Sequence, residues 1–586
     1  MIARLLAVSA CMALSAFFVY FPITDTDIFW HIAAGREMLL HRHFLFCDPF
    51  SFSIPFANWT DLHWLFQITS FGLYSLGAEK ALIAFKLVII ALVSGILCCT
   101  YRTKQYIVIT ALTTAVLIYE ARYLICLRPV LITILCMALY IYLFENARDK
   151  IDKKTLWLCI PLQILWTNSQ GLYMTGLFII GAYWFESIIP GLSGFTRAVL
   201  KGKKSHGNML CNNTFQKGMA FWTLGKPCYI GLLFILCAAS CLINPYGLDG
   251  LALPFRLIGR INPDPHNIFS MNIPENVPLF SLVGYEAAYR TIVFVSAIIA
   301  CILFVINRKA VRPAHIILFA GFSYLAVSAE RNVLLYIIAI IPVIGYHAAY
   351  FVNSASFMNL RRKTRRILLW VFGSAALSLI SFFVLCQAEV VSEYPPGRNL
   401  SPFRFPEKIC EYLKKNPVDG NMFNDIRSGG YLIWNFFPDK QVFIDGRLII
   451  RPERFFAEYL ALCENPELFF RLDGRFNITH VILPSAIFPL YHKLISRLYE
   501  SHDWHLQYTD GSSVLFVKNT VNNLSLNLSD SSIVTSIIDS INVQWVNAPA
   551  VKNEALGYFS EMLGYLGLAG PADLVKMSMG QSVRSH

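Results

Sequence analysis

Eleven apolar stretches punctuate the chain, near residues 3–23, 80–99, 105–119, 129–145, 155–167, 171–189, 228–244, 290–306, 314–327, 331–351 and 367–387. A helix needs about 20 such residues to cross a bilayer. A further apolar segment, 64–76, is too short and predicts an interfacial or re-entrant helix. Lys and Arg gather in every second interval: Arg102 and Lys104, then Arg148 to Lys154, Arg197 to Lys226, Arg308 to Arg312, and Arg361 to Arg366. This is the positive-inside pattern. It predicts a cytoplasmic N-terminus and, with eleven crossings, puts 24–79 and everything after 388 outside. The first stretch follows Arg4 as in a signal peptide. No small-x-small site stands at Tyr20-Phe21-Pro22-Ile23, so a retained helix is expected.

After residue 388 the periodicity changes. Short strands are expected at 421–425, 441–445 and 480–483, and a hairpin at 504–508 and 513–517 around Asp510-Gly511. Helices are expected near 429–434, 453–462, 465–473 and 488–500. Strands alternating with helices predict a small α/β sheet with an antiparallel edge. The expected organisation is a membrane domain 1–388 with an external loop 24–79, an extracytoplasmic α/β domain 389–520, and a linker with a small helical tail, 521–586. Within the tail, 550–580 suggests a helical hairpin broken at Gly570-Pro571.

Composition agrees with a mostly α polytopic membrane protein carrying a C-terminal soluble α/β domain. The 586 residues are 56% hydrophobic and only 15% charged, against about 25% charged in soluble domains. The net charge of +12 would suit nucleic acid, but its alternation between loops argues for a membrane and against a nucleic-acid partner. The fifteen cysteines fall mostly in apolar stretches and form no CxxC pair, so they read as small hydrophobes.

The first external loop holds the candidate chemistry. Asp25 and Asp27 follow the first stretch, with Trp30, His31, Gly35, Arg36, Asp48, Asp61 and His63 behind them. Paired carboxylates suit a divalent cation, Mg or Mn, or a general base for an incoming hydroxyl. The alternative is loop acids capping a helix at 28–40. His31 and His63 stand beside Trp30 and Trp64 and read equally as members of an aromatic belt. Asp48 before Pro49 reads as a turn-former. Gly429-Gly430 lacks the following Lys-Ser/Thr of a phosphate loop.

The run Asp25-Thr-Asp-Ile-Phe-Trp-His-Ile-Ala-Ala-Gly-Arg36 resembles the D-x-D-x-W-W-H-L-x-x-G-x signature of bacterial multispanning glycosyltransferases of the GT-C class. Asp48-Pro-Phe-Ser-Phe52, Trp59-Thr-Asp-Leu-His-Trp-Leu-Phe-Gln67, Trp166-Thr-Asn-Ser-Gln-Gly171, Asn244-Pro-Tyr-Gly247, Arg331-Asn332, Ser428-Gly-Gly-Tyr-Leu-Ile-Trp434 and Phe443-Ile-Asp-Gly-Arg447 are similar to its later blocks, in the same order. Two positions depart: Phe29 precedes Trp30 where the group has a second Trp, and Gln170 stands where it tends to have His. The resemblance implies a GT-C-like fold in a bacterial inner membrane. It implies transfer of a sugar from a polyprenyl-phosphate donor to a lipid or envelope-glycan acceptor at the outer face. By the same resemblance Asp27, or Asp25, is the catalytic carboxylate, with both as metal ligands. Arg128 and Arg331, at the outer ends of stretches, would offset the charge of the leaving phosphate; interfacial anchoring by snorkelling is their other reading. His31 and His63 complete the expected substrate-binding set. A flippase of lipid-linked glycan and a non-catalytic assembly protein are the competing functions.

Overall fold

The computed structural model describes residues 2–147, 157–202, 226–261, 267–284, 287–395, 397–518 and 525–583. The basic stretches 148–154 and 203–217 and the first residues of the expected linker, 521–524, lie outside these. The chain forms two compact units. One comprises Met1–Tyr20, Leu62–Phe66 and Ala84–Gln387. The other comprises Phe21–Asp61, Gln67–Ile83 and Ala388–His586.

The long helices up to the last apolar stretch are α1 (Ile2–Phe18), α2 (Asp27–His41), α3 (Trp64–Cys99), α4 (Lys104–Glu120), α5 (Val130–Asn146), α6 (Cys159–Thr167), α7 (Met174–Gly202), α8 (Lys226–Ser240), α9 (Leu248–Ile261), α10 (Ala287–Ile306), α11 (Pro313–Ser328), α12 (Val333–Val352) and α13 (Arg362–Glu393). Each of the eleven apolar stretches is thus helical over most of its described residues. Among the described residues, five segments are long and apolar enough to cross a membrane: Trp64–Cys99, Gly171–Ile189, Ala287–Ile306, Glu330–Val352 and Arg362–Glu393. The others are shorter. The first ends at Phe18 rather than 23, because Pro22 follows and Ile23 instead pairs with Leu400 as a parallel bridge. The expected separate helices at 64–76 and 80–99 are two arms of α3, broken at Gly77 and Ala78, where the backbone leaves helical geometry.

In the first unit the helices meet through aromatic and aliphatic side chains. Phe18 of α1 stands edge-on to Tyr119 of α4, and Tyr119 stacks on Phe383 of α13 at 3.9 Å. Helix α12 is buried along almost its whole length, which suits its unbroken apolar sequence. One buried polar cluster ties four helices together. Arg312 pairs with Glu145 of α5 and Glu186 of α7. Glu145 also accepts from Tyr183 at 2.6 Å and meets His315 of α11 at 3.1 Å; His315 in turn meets His347 of α12 at 3.2 Å. A buried ionic group survives in a low-dielectric interior only when its partners are this complete.

The second unit is built on a four-stranded sheet, β1 (Asn421–Asn424), β2 (Ile478–Pro484), β3 (Trp504–Thr509) and β4 (Ser513–Lys518), in the order β1-β2-β4-β3. The β1–β2 pair is parallel and the others antiparallel. The hairpin closes at Asp510-Gly511, where Asp510 Oδ1 accepts from the amides of Ser512 and Ser513 at 2.9 Å and Gly511 supplies a φ of +82°. Around the sheet lie α14 (Glu407–Lys415), α15 (Ile426–Phe436), α16 (Glu453–Glu464), α17 (Glu467–Phe476) and α18 (His492–Tyr499).

Two expectations need correction. Residues 441–445 are not a ladder strand. Residues 442–445 are fully buried, and Asn424 takes polar groups of this segment: its Oδ1 accepts from Phe443 N at 2.9 Å and its Nδ2 donates to Ile444 O at 2.7 Å. The other side of this segment pairs with 50–52, Val442 N donating to Phe50 O and Phe52 N to Val442 O. The tail forms three helices, α19 (Ser531–Gln544), α20 (Pro549–Tyr565) and α21 (Ala569–Val583). The last break falls at 566–568, where Gly567 takes a φ of +77°, and Pro571 sits in the first turn of α21, where a missing N–H costs nothing.

Candidate active site

Helix α2 begins at the acidic pair. Thr26 precedes it but makes no side-chain cap. Asp25 does that work: its Oδ1 accepts from the Asp27 amide at 3.1 Å. Negative charge at a helix N-terminus is favoured by the dipole, so the capping reading of these acids is realised. Asp25 is buried and Asp27 half-buried. The same helix then buries Ile28, Phe29, Trp30 and His31. Phe29, where a second Trp was expected, packs edge-on to Tyr431 of α15 at 4.8 Å.

Two glycine positions explain how close this packing is. On α15, a Cβ at Gly429 would lie 2.2 Å from Ile444 O, and one at Gly430 would lie 2.7 Å from Thr26 O. The Gly-Gly pair is therefore a contact face for α2 on one side and for 444–445 on the other. The second position is Gly446. A Cβ there would lie 2.1 Å from Asp27 Oδ1. The Asp27 carboxylate rests against a stretch of bare backbone, more than 400 residues away in sequence.

That backbone is held by a buried ionic clasp. Arg447 sends Nε and Nη2 to the two oxygens of Asp445, both at 2.7 Å, and Nη1 to Asp48 Oδ1 at 2.7 Å. Arg451 reaches Asp445 Oδ2 at 3.1 Å, Ser51 Oγ at 2.7 Å and Ser53 Oγ at 2.9 Å. Asp48 in turn accepts from Phe50 N at 2.9 Å and from Ser51 Oγ. It is the turn-former the sequence suggested, and an ion-pair partner as well. All four charged side chains are at most 1% exposed. The Arg447 guanidinium also stands over the rings of Trp59 at 4.7 Å and Phe50 at 5.0 Å. Burial alone would raise the Asp445 carboxyl; Arg447 and Arg451 beside it outweigh that and hold it below the usual carboxylate range. Burial would lower the Arg447 guanidinium, and the two carboxylates reverse the sign.

His31 is buried on α2, one turn beyond Asp27. Gln67 Nε2 lies 3.4 Å from its Nδ1 and donates to Asp61 Oδ2 at 2.5 Å. Asp25, Asp27 and His31 thus share one helix end in the second unit. The remaining expected residues lie in the first unit. His63 Nε2 meets Gln170 Oε1 at 3.1 Å, so the Gln that replaces the expected His is itself a histidine partner. Arg128 pairs with Glu275. Arg331, in the turn before α12, lies within electrostatic reach of Glu275 and Arg128.

Among the described residues no three His, Cys, Asp or Glu side chains gather into a metal-ligating group. Asp25 and Asp27 offer two carboxylates, which suits Mg²⁺ or Mn²⁺: such ions keep several waters and take the rest of their shell from substrate phosphate.

The clasp was not foreseen. Its two blocks, 48–52 and 443–447, were visible as separate motifs, but no spacing relates them. Arg451 carries no signal in the sequence, and Gln67 stands there only as the last residue of the 59–67 resemblance block.

The fold has solved counterparts. The oligosaccharyltransferase AglB of the archaeon Archaeoglobus fulgidus, in complex with an inhibitory peptide and a dolichol-phosphate, superposes with a TM-score of 0.53 at 11% identity, over 96% of this chain and 86% of that one. The apo oligosaccharyltransferase of the same organism gives 0.52 at 11% identity, over 89% of this chain and 75% of that one. The chain therefore shares the fold of these oligosaccharyltransferase structures. No family model matches the sequence, and no curated protein does.

Proposed function

We propose that the chain is a membrane glycosyltransferase that moves a sugar from a polyprenyl-phosphate donor to an acceptor hydroxyl at the outer face of the membrane. The observation that carries this reading is the Asp25–Asp27 pair at the start of α2, seated against the backbone of Gly446. The fold shared with AglB, whose solved complex holds a dolichol-phosphate, supports a lipid-phosphate donor. The Lys and Arg alternation supports eleven crossings, an N-terminus inside and the second unit outside.

In this reading Asp27 takes the proton of the acceptor hydroxyl as the new glycosidic bond forms at the donor's anomeric carbon. The bond from that carbon to the phosphate oxygen breaks, and the lipid phosphate leaves. Asp25 keeps α2 capped and fixes where the Asp27 carboxylate begins. A divalent cation held by Asp25 and Asp27 would neutralise charge on the leaving phosphate. His31, one turn beyond Asp27 on the same helix, serves the donor's phosphate and sugar.

The test is Asp27→Asn and Asp25→Asn in the full chain, reconstituted with polyprenyl-phosphate sugars. Each should reach the membrane at the wild-type level. Asp27→Asn should lose at least a hundredfold in transfer, within the span of general-base contributions. Wild-type transfer in both variants would refute the assignment.

A further inference from the structure

The Asp445-Gly446-Arg447 turn lies far from α2 in sequence, yet its backbone forms the wall against which Asp27 rests. We infer that this turn is a positioning device for the Asp27 carboxylate, which makes the C-terminal α/β part of the chain a working component of the catalytic centre rather than an accessory for acceptor recruitment. The inference rests on the proposed role of Asp27.

Three observations converge. First, position 446 has room for hydrogen alone. A methyl there meets Asp27 Oδ1 at 2.1 Å, and the next atoms of the carboxylate at 3.0 and 3.4 Å. Contact under 3.0 Å forces a shift, and the carboxylate is the far end of a side chain that can rotate. The alanine variant therefore moves the Asp27 head before it moves the backbone.

Second, the turn is over-determined. The Arg447 amide donates to Asp445 Oδ1 at 2.9 Å, and its guanidinium grips the same carboxylate through two further bonds. A planar fork on a carboxylate fixes direction as well as distance. Gly446 lies between the two gripped residues, so its position follows from theirs.

Third, the clasp reaches back to the loop that follows α2, the helix that begins at Asp27. Arg447 Nη1 holds Asp48, and Arg451 holds Ser51 and Ser53. The loop 48–53 is thus bound to the same two arginines that set the wall. A buried cluster of two acids and two bases is a costly way to gain stability, because apolar side chains of like volume do as well or better. What it supplies is a fixed geometry, and the group whose geometry it fixes is Asp27. Catalysis is sensitive to displacements of this size, since an ångström at a reacting group can cost about a hundredfold.

A double-mutant cycle on the full chain in proteoliposomes tests this. Asp27→Asn, Gly446→Ala and the double variant are compared for kcat and donor KM, with melting temperature and membrane level as folding controls. Gly446→Ala should lower kcat at least tenfold and leave donor KM within about twofold. On the Asp27→Asn background the same change should have almost no further effect, because the group it displaces is gone. Losses that multiply in the double variant would overturn the positioning role and leave Gly446 a folding residue. Wild-type kcat in Gly446→Ala would also overturn it. Wild-type activity in Asp27→Asn would instead bring down the functional reading itself. Should Gly446→Ala fail to accumulate, Arg447→Lys runs the same cycle: it keeps the charge but loses the fork, and its loss of kcat should likewise vanish without Asp27.

Discussion

Gln67 donates through Nε2 to Asp61 Oδ2 at 2.5 Å, and the same nitrogen lies 3.4 Å from His31 Nδ1. A carboxylate only accepts, so the amide nitrogen and not its oxygen must face Asp61. The same nitrogen can approach His31 only if Nδ1 accepts. The His31 proton is thereby placed on Nε2. The arrangement leaves Gln67 Oε1 buried without a hydrogen-bond partner among the described residues, and turning the amide over would set that oxygen against the Asp61 carboxylate.

Gln67→Met, which keeps the volume and removes the donor, should release that tautomer. With ¹⁵N-labelled histidine and His31→Asn for assignment, wild-type protein should show His31 protonated at Nε2 and the variant a mixture. The loss of a buried partner for Asp61 should cost about 1–3 kcal/mol of stability. An Nδ1-protonated His31 in the wild type would contradict the assignment.

Chelation addresses the paired acids. With Asp25 and Asp27 as its only protein ligands among the described residues, a bound cation would be weakly held and readily exchanged. EDTA should abolish transfer by the purified chain, and Mg²⁺ or Mn²⁺ should restore it. Asp25→Asn should raise the metal concentration needed for half-maximal rate. Transfer indifferent to chelator would leave Asp27 as a general base alone.

The helices were legible because each apolar run is long enough to announce itself, and the hairpin because Asp510-Gly511 permits one turn geometry. The two arms of α3 look like separate helices in the sequence because Gly77-Ala78 interrupts the helical backbone, although the arms stay joined. Residues 441–445 misled because four buried residues in a row look alike whether a ladder or a single asparagine satisfies their amides. Asn424 does it here, and no periodicity records a side chain's choice of partner. The acidic pair was visible as a motif. Its wall at Gly446 was not, since a glycine's value lies in what approaches it from elsewhere in the chain.

Asp425 ends β1 and caps α15, its Oδ2 accepting from Arg427 N at 2.9 Å and Ser428 N at 3.2 Å. Its Oδ1 is buried without a hydrogen-bond partner among the described residues, and burial raises its carboxyl above the usual range. The folded chain therefore binds this proton more readily than the unfolded one, and the group's contribution to stability improves as pH falls through its folded pKa. Asp425→Asn keeps the cap and removes the buried charge. It should be at least as stable as wild type at pH 7.5 by thermal melting of the full chain. Asp425→Ala should lose about 1 kcal/mol with the cap. A large loss in the Asn variant would mean that the charge is needed.

His480 on β2 gives the opposite slope. Its Nδ1 meets Thr479 Oγ1 at 2.9 Å, while Nε2 is buried without a hydrogen-bond partner among the described residues. Burial, with Lys440 nearby, pushes its pKa down to about 3. The folded state keeps the ring neutral, whereas the unfolded chain protonates it near the ordinary value of about 6.5. Stability is therefore fully present above about 6.5 and falls steadily as pH drops toward 3. Between pH 7 and 5 this single group should cost about 2 kcal/mol. His480→Phe retains the volume and has no proton to gain, so its melting temperature should change less over that interval than that of the wild type. Equal slopes in the two proteins would show that the acid sensitivity of this sheet arises elsewhere.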